Sequence, residues 1–188
     1  MDPMLIIGII VLLIVVGILL WFFGYYNRVI RYENRIDNAW AQIDVQLKRR
    51  ADLIPNLMET VKGYMTHERQ TLDSVIQARS QAVGAGNVDD RIKAEASLSG
   101  ALGRLMLVAE QYPDLKANQN FLSLQEELSS TENKIGFSRQ YYNDSVMHYN
   151  TKLETFPSNV IGGMFQFKPG TFFEVADAAE REAPKVKF

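Results

Sequence analysis

Hydrophobic residues fall into two regimes along the chain. From Met4 to Phe23 the sequence MLIIGIIVLLIVVGILLWFF is apolar without interruption, and after Asp2 the first charged side chain is Arg28. About 20 residues at a rise of about 1.5 Å span roughly 30 Å, the thickness of a bilayer's hydrocarbon layer. A helix buried in a protein core normally keeps a polar stripe, and this run has none, so it predicts a single transmembrane helix over residues 1–24. A cleaved leader needs a basic start and a small-residue cleavage site. Here Met1-Asp2-Pro3 opens the run and Trp21, Phe22, Phe23, Tyr25 and Tyr26 close it, rings suited to the headgroup interface. The segment is expected to stay attached.

Past the anchor, apolar residues recur at helical spacing, with no convincing period-two alternation. Ile36, Trp40, Ile43, Leu47, Ile54, Met58, Val61 and Met65 form one stripe, continued by Leu72, Val75 and Ile76 as far as Gly84-Ala85-Gly86-Asn87. That glycine-rich stretch is a helix stop and loop, and Asp89 and Asp90 suit the start of the next helix. Ile92, Ala96, Leu102, Leu105, Ala109 and Tyr112 form its face, ended by Pro113. A last long helix carries Phe121, Leu124, Leu128, Ile135, Tyr142, Val146, Tyr149, Leu153 and Phe156 and stops at Pro157. Its stripe drifts from strict heptads, which suits a globular bundle better than a two-stranded coil.

Pro55 leaves two arrangements open. One helix kinked at Pro55 could run from Tyr25 to Val83, or the chain could turn a corner near Arg50 with Asp52 as N-cap and Pro55 in the first turn. The corner gives segments of more even length and is the favoured arrangement. The expected fold is all-α: a transmembrane helix followed by an up-and-down bundle of four helices. Residues 25–156 form that bundle and residues 157–188 an aromatic-rich tail. Such a bundle returns the tail to the membrane, where Phe165, Phe167, Phe172 and Phe173 either cap the open end of the bundle or touch lipid or a partner.

Charge sets the orientation. Arg28, Arg31 and Arg35 follow the apolar run, with Lys48, Arg49 and Arg50 beyond, against only the amino terminus and Asp2 on the other side. The positive-inside rule puts the N-terminus outside and the bundle in the cytoplasm.

Composition narrows the function. A net charge of −2 and a pI near 5.7 argue against nucleic-acid binding. The absence of cysteine excludes disulfides, thiolate zinc sites and a cysteine nucleophile. His67 and His148 belong to no metal motif, and no Glu lies three residues before either. Gly84-Ala85-Gly86 lacks the strand and third glycine of a dinucleotide fingerprint. Asp37, Asp44, Asp52 and Glu59 recur near one side of the first stretch, where a solvated or salt-bridged face is favoured over a cation site. Ala96, Gly100 and Gly103 put small residues on one helical face, suggesting close helix approach. Polar groups such as Asn120, Glu127, Asn133, Arg139, Asn143 and Asn150 could build networks against Asn38, Gln42 and Arg35 that fix helix register. No nucleophile, base and oxyanion site come together, and no catalytic residue, metal ligand or cofactor is assigned.

The stretch Asn34-Arg-Ile-Asp-Asn-Ala-Trp-Ala-Gln-Ile-Asp-Val-Gln-Leu-Lys-Arg-Arg-Ala-Asp-Leu-Ile-Pro-Asn-Leu57, continuing through Glu59-Thr-Val-Lys-Gly-Tyr64, resembles the hallmark segment of the LemA family. Asn118 to Leu128 with Thr131-Glu-Asn133, Tyr141-Tyr-Asn-Asp144 with Tyr149-Asn150, Phe156-Pro-Ser-Asn159 and the closing Pro184-Lys-Val-Lys-Phe188 are similar too, in order along nearly the whole chain. The resemblance implies a bacterial single-pass inner-membrane protein with a helical-bundle domain and no established enzymatic activity. Some such proteins are associated with magnetosome membranes. It brings no catalytic residues.

The expected function is a membrane-tethered, non-enzymatic scaffold or partner-binding module, in contact with lipid and with other membrane proteins or copies of itself. The alternative is a ligand-sensing or catalytic bundle with a polar interior site built from Asp37, Asp44, Glu127 and Arg139.

Overall fold

The computed structural model describes residues 3–173, so Asp2 and the closing Pro184–Phe188 motif lie outside the described residues. Among the described residues there are six helices and no strand: α1 (Pro3–Lys62), α2 (Arg69–Gly84), α3 (Val88–Ala109), α4 (Pro113–Lys116), α5 (Gln119–Glu154) and α6 (Ser158–Met164). The all-α expectation holds. Four helices are long and two are short, so the elements do not reduce to a plain set of four.

The corner near Arg50 does not form. α1 runs unbroken through Pro55 to Lys62 and breaks instead at residues 63–68, so the stripe beyond Met65 belongs to a separate helix. Proline cannot donate to the carbonyl four residues earlier, which here is Ala51. That oxygen accepts from Arg79 Nε of α2 at 2.7 Å, so the acceptor stranded by Pro55 is satisfied from a neighbouring helix. The proline ring itself faces out.

The residues cluster into two compact units. Of the described residues, one comprises those up to Ala41 with Gln140–Phe172, the other Gln42–Arg139 with Phe173. The core of the second unit takes Ile54, Leu57 and Val61 from α1, Val75 from α2, Leu98 and Leu105 from α3, Leu115 from α4, and Phe121 and Leu128 from α5. The core of the first takes Tyr25 and Val29 from α1, Tyr149 from α5 and Ile161 from α6, flanked by Phe22, Tyr32, Ile36, Leu153 and Phe167.

The helix ends carry their own signals. Asn87 caps α3, its Oδ1 accepting from the Asp90 N–H at 2.8 Å while its Nδ2 donates to Asp90 Oδ2 at 2.7 Å. Asn118 Oδ1 accepts from the N–H groups of Asn120 and Phe121 at the start of α5. At the end of α6, Gln166 has φ of 56°, and its N–H and that of Phe167 donate back to Gly163 and Gly162 at 3.3 and 3.1 Å. This is the left-handed helix ending usually given to glycine.

Two packing expectations are corrected. Ala96, Gly100 and Gly103 face outward, and a Cβ placed on either glycine meets nothing within 4 Å, so no helix approaches there. Burial on α5 includes Thr131 and Ser145, and Phe121, Leu128, Ile135, Tyr142 and Tyr149 are buried at intervals of seven. Thr131 and Ser145 are buried polar residues between these rows, which is where the apolar stripe breaks from strict heptads.

Candidate functional site

In the second unit the buried positions of α1 alternate in steps of four and three: Ile43, Leu47, Arg50, Ile54, Leu57, Val61. Arg50 thus occupies a core position, at 1% exposure. On α3 the same rhythm reads Glu95, Leu98, Leu102, Leu105, Ala109, with Glu95 fully buried. The guanidinium of Arg50 is ion-paired to Glu95 and to the half-exposed Glu132 of α5, and it donates to Ser99 Oγ at 2.9 Å. Arg91 lies one turn before Glu95, its Nε 3.2 Å from Glu95 Oε1 and its Nη2 3.4 Å from Asp44 Oδ1. Three helices are therefore tied through one arginine.

A buried ion pair of this kind gives little net stability against an apolar replacement, but losing one partner strands a charge in a dry interior. The cluster joins α1, α3 and α5 at one level of the core. From the sequence Arg50 counts among the charges that orient the chain and as the site of a corner, and Glu95 is passed over. The signal that would have found them is the 4-3 spacing, in which a charged residue stands where each neighbour in the series is apolar.

The polar residues offered as an interior site do not line one. Asp37, Asp44 and Glu127 are exposed, and Asp44 is engaged by Arg91. The Arg139 guanidinium sits 4.6 Å over the ring of Phe173. The acidic side of α1, Asp37, Asp44, Asp52 and Glu59, is solvated. His67, in the loop after α1, and His148, on α5, are both exposed. Among the described residues no group of three or more His, Asp or Glu is placed to hold a metal. An open groove of about 480 Å³ between α1 and α2 is walled by Ile54, Pro55, Met58 and Ile76, with Arg79 at its edge. A second, of about 460 Å³, is lined by Asn56, Glu59, Thr60, Asn120 and Ser123.

The first unit holds the aromatic residues. Trp21 and Phe23 are exposed, Phe22 and Tyr26 half-buried, and Tyr25 is buried with its hydroxyl donating to the Lys152 carbonyl at 2.9 Å. The Phe165 ring lies 4.8 Å from that of Tyr26 and 5.8 Å from that of Phe22, and Phe167 lies 6.0 Å from Tyr26. Phe165 and Phe172 keep exposed area. In the second unit, Phe173 is buried beneath Arg139.

The tail is fastened by backbone contacts. Asn150 donates to the Gly170 carbonyl and accepts from its N–H, at 3.0 and 2.8 Å, and the Tyr142 hydroxyl donates to the Thr171 carbonyl at 2.9 Å. The Asn150 side chain thus holds the tail, and Tyr142 both holds the tail through its hydroxyl and meets Trp40 of α1 edge-on, with ring centroids 5.8 Å apart. Arg28 and Arg31 are exposed, whereas Arg35 donates from Nε to the Tyr141 hydroxyl at 3.1 Å. That bond raises the guanidinium pKa above its ordinary value.

The apolar run of α1 is the one segment among the described residues long and apolar enough to cross a membrane, with a mean hydropathy of 3.3 and none of it buried. The LemA family profile matches residues 39–188, covering both the Arg50–Glu95 pair and the tail. The chain belongs to the LemA family. It is 28% identical over 158 residues to Protein LemA of Metamycoplasma hominis, covering 82% of this chain and 71% of that protein. It is 22% identical to Magnetosome protein MamQ 2 of Paramagnetospirillum magneticum and 23% identical to Magnetosome protein MamQ of Magnetospirillum gryphiswaldense. These matches cover 82% of this LemA chain and 66% of each MamQ protein.

Proposed function

We propose that this LemA-family chain is a membrane-anchored, non-enzymatic scaffold or partner-binding module of the bacterial inner membrane. Its N-terminus lies outside, and its helical region lies in the cytoplasm. One observation carries the reading: the apolar stretch of α1 is wholly exposed and is followed at once by the exposed Arg28 and Arg31. Water does not tolerate such a stretch and a bilayer does, while the arginines prefer the cytoplasmic side. The family membership and the MamQ relatives support a membrane setting.

Partners are membrane lipid together with other membrane proteins or further copies of this chain. The contacts of Arg50 with Glu95, Glu132 and Ser99 join three helices, which suits presentation of a surface more than turnover. Cysteine is absent from the chain, so single cysteines report cleanly. A cysteine at Asn87 in right-side-out spheroplasts is expected to resist an impermeant maleimide until the membrane is opened. Labelling of intact cells at that position would overturn the orientation. Crosslinking in intact membranes is expected to trap a membrane protein or a second copy, and a strictly monomeric product would count against the scaffold.

A further inference from the structure

We infer that α6 and its flanks form a second, monotopic contact with the bilayer, an apolar shelf lying in the lipid interface beside the point where α1 leaves the membrane. The inference rests on the membrane-anchor reading of α1.

Three observations carry it. The first is position. Ile161, at 3% exposure, joins Tyr25, Val29 and Tyr149 in one core, and the Phe165 ring touches those of Phe22 and Tyr26. This fixes α6 beside the turns of α1 at which the apolar run gives way to Arg28. The second is the division of its surface. While Ile161 faces the core, Val160 and Met164, four residues apart on the same helical side, are 55% and 67% exposed. Phe165 and, ahead of the helix, Phe156 are exposed as well. Single exposed apolar residues are ordinary, but this run contains no charged residue between Glu154 and Lys168.

The third is continuity. Phe23, exposed on α1, packs edge-on against Phe22, Phe22 meets Phe165, and Phe165 meets Phe167, so one chain of rings leads from the anchor to the shelf. An apolar surface that begins on a lipid-facing helix and continues sideways at the same level is covered most simply by the same lipid. Lys168, Arg28 and Arg31 are exposed close by in sequence to these rings, and they suit anionic headgroups.

The test uses the full chain in vesicles of phosphatidylcholine and phosphatidylglycerol. Single cysteines replace Met164, Val160, Phe23 and Asn87 in turn and carry an environment-sensitive fluorophore, with bromine placed at defined depths on the lipid chains. Labels at 160 and 164 are expected to be quenched severalfold more strongly by bromine near the headgroup than by bromine near the chain ends. The label at 23 is expected to be quenched by lipid as well, and that at 87 by aqueous iodide alone. If 23 is quenched by lipid while 160 and 164 behave like 87, the shelf is overturned and the anchor stands. If 23 is reached only by iodide, the anchor falls first. Protection of 160 and 164 from both quenchers would mean that protein covers them, and would overturn the lipid assignment. Helicity of each labelled protein, and agreement between the two α6 positions, guards against a misfolded variant.

Discussion

The guanidinium of Arg79 donates from Nε to the carbonyl oxygen of Ala51 at 2.7 Å, replacing the bond that Pro55 cannot make. This pairing lets a proline sit inside a 60-residue helix. Arg79→Met keeps most of the apolar stem and is expected to lower stability by about 1–2 kcal/mol, the usual cost of stranding a buried acceptor. In a Pro55→Ala background the Ala51 carbonyl regains a helical donor, so the same substitution is expected to cost about 1 kcal/mol less. Urea titrations of the four proteins in detergent measure that coupling. Strict additivity would show that the two residues act independently.

Arg50→Met is expected to cost about 3 kcal/mol, because the buried Glu95 loses its core partner and keeps only Arg91. Arg50→Lys is expected to recover only part of this, since one ammonium cannot reach Glu95, Glu132 and Ser99 together. The double variant Arg50→Met with Glu95→Leu is expected to return most of the loss. Denaturant midpoints of the set decide the matter, and a double variant worse than either single one would refute the pairing.

Much of this was legible in the sequence, for physical reasons that differ by residue. The apolar stretch of α1 shows because about twenty uninterrupted apolar residues need no tertiary partner to be recognised. The start of α3 shows because Asn87 and the acidic residues after it are local signals that need no tertiary partner. The run of α1 through Pro55 was hidden because the donor that rescues it, Arg79, comes from another helix. The break at Gly63 was hidden by Met65, which is buried in phase with the stripe although it lies beyond the helix end. Arg50 and Glu95 were hidden because a charge is read as surface until its buried partner is known. The outward face of Gly100 and Gly103 was misread because small residues suit close packing equally well.

Gly100→Ala and Gly103→Ala each place a methyl in open space on an exposed helix face. Each is expected to raise stability by about 0.5–1 kcal/mol through loss of unfolded-state freedom. A rise in thermal midpoint for both, additive in the double variant, is the readout. A loss of stability would mean that another molecule packs against that face.

Gln166 holds a left-handed conformation, with φ of 56°, at the end of α6. Gln166→Gly removes the strain on its Cβ and is expected to stabilise the turn by about 1 kcal/mol. Amide exchange at Phe167, whose N–H closes the turn onto Gly162, should slow correspondingly. Faster exchange there would contradict the assignment.

Burial pushes the Tyr149 hydroxyl pKa up, and the nearby charge of Glu33 adds to the shift. In the unfolded chain the group ionises near its ordinary value of about 10. The stability that comes from keeping it neutral is therefore complete below about pH 10 and is lost as the pH rises through the higher folded value. Tyr149→Phe is expected to flatten the alkaline decline in urea midpoint. An unchanged decline would place the sensitivity on other tyrosines.

Because Arg50 and Glu95 are each other's buried partner, with Glu132 and Arg91 only at the margin, a change at one position weakens the case for the other. A lineage that trades the pair for apolar residues one at a time must pass through a descendant whose remaining buried charge has lost its core partner, less stable than either end. Across relatives the two positions should accordingly be inherited as a unit, both charged or both greasy, and the rare mixed ancestor should be short-lived.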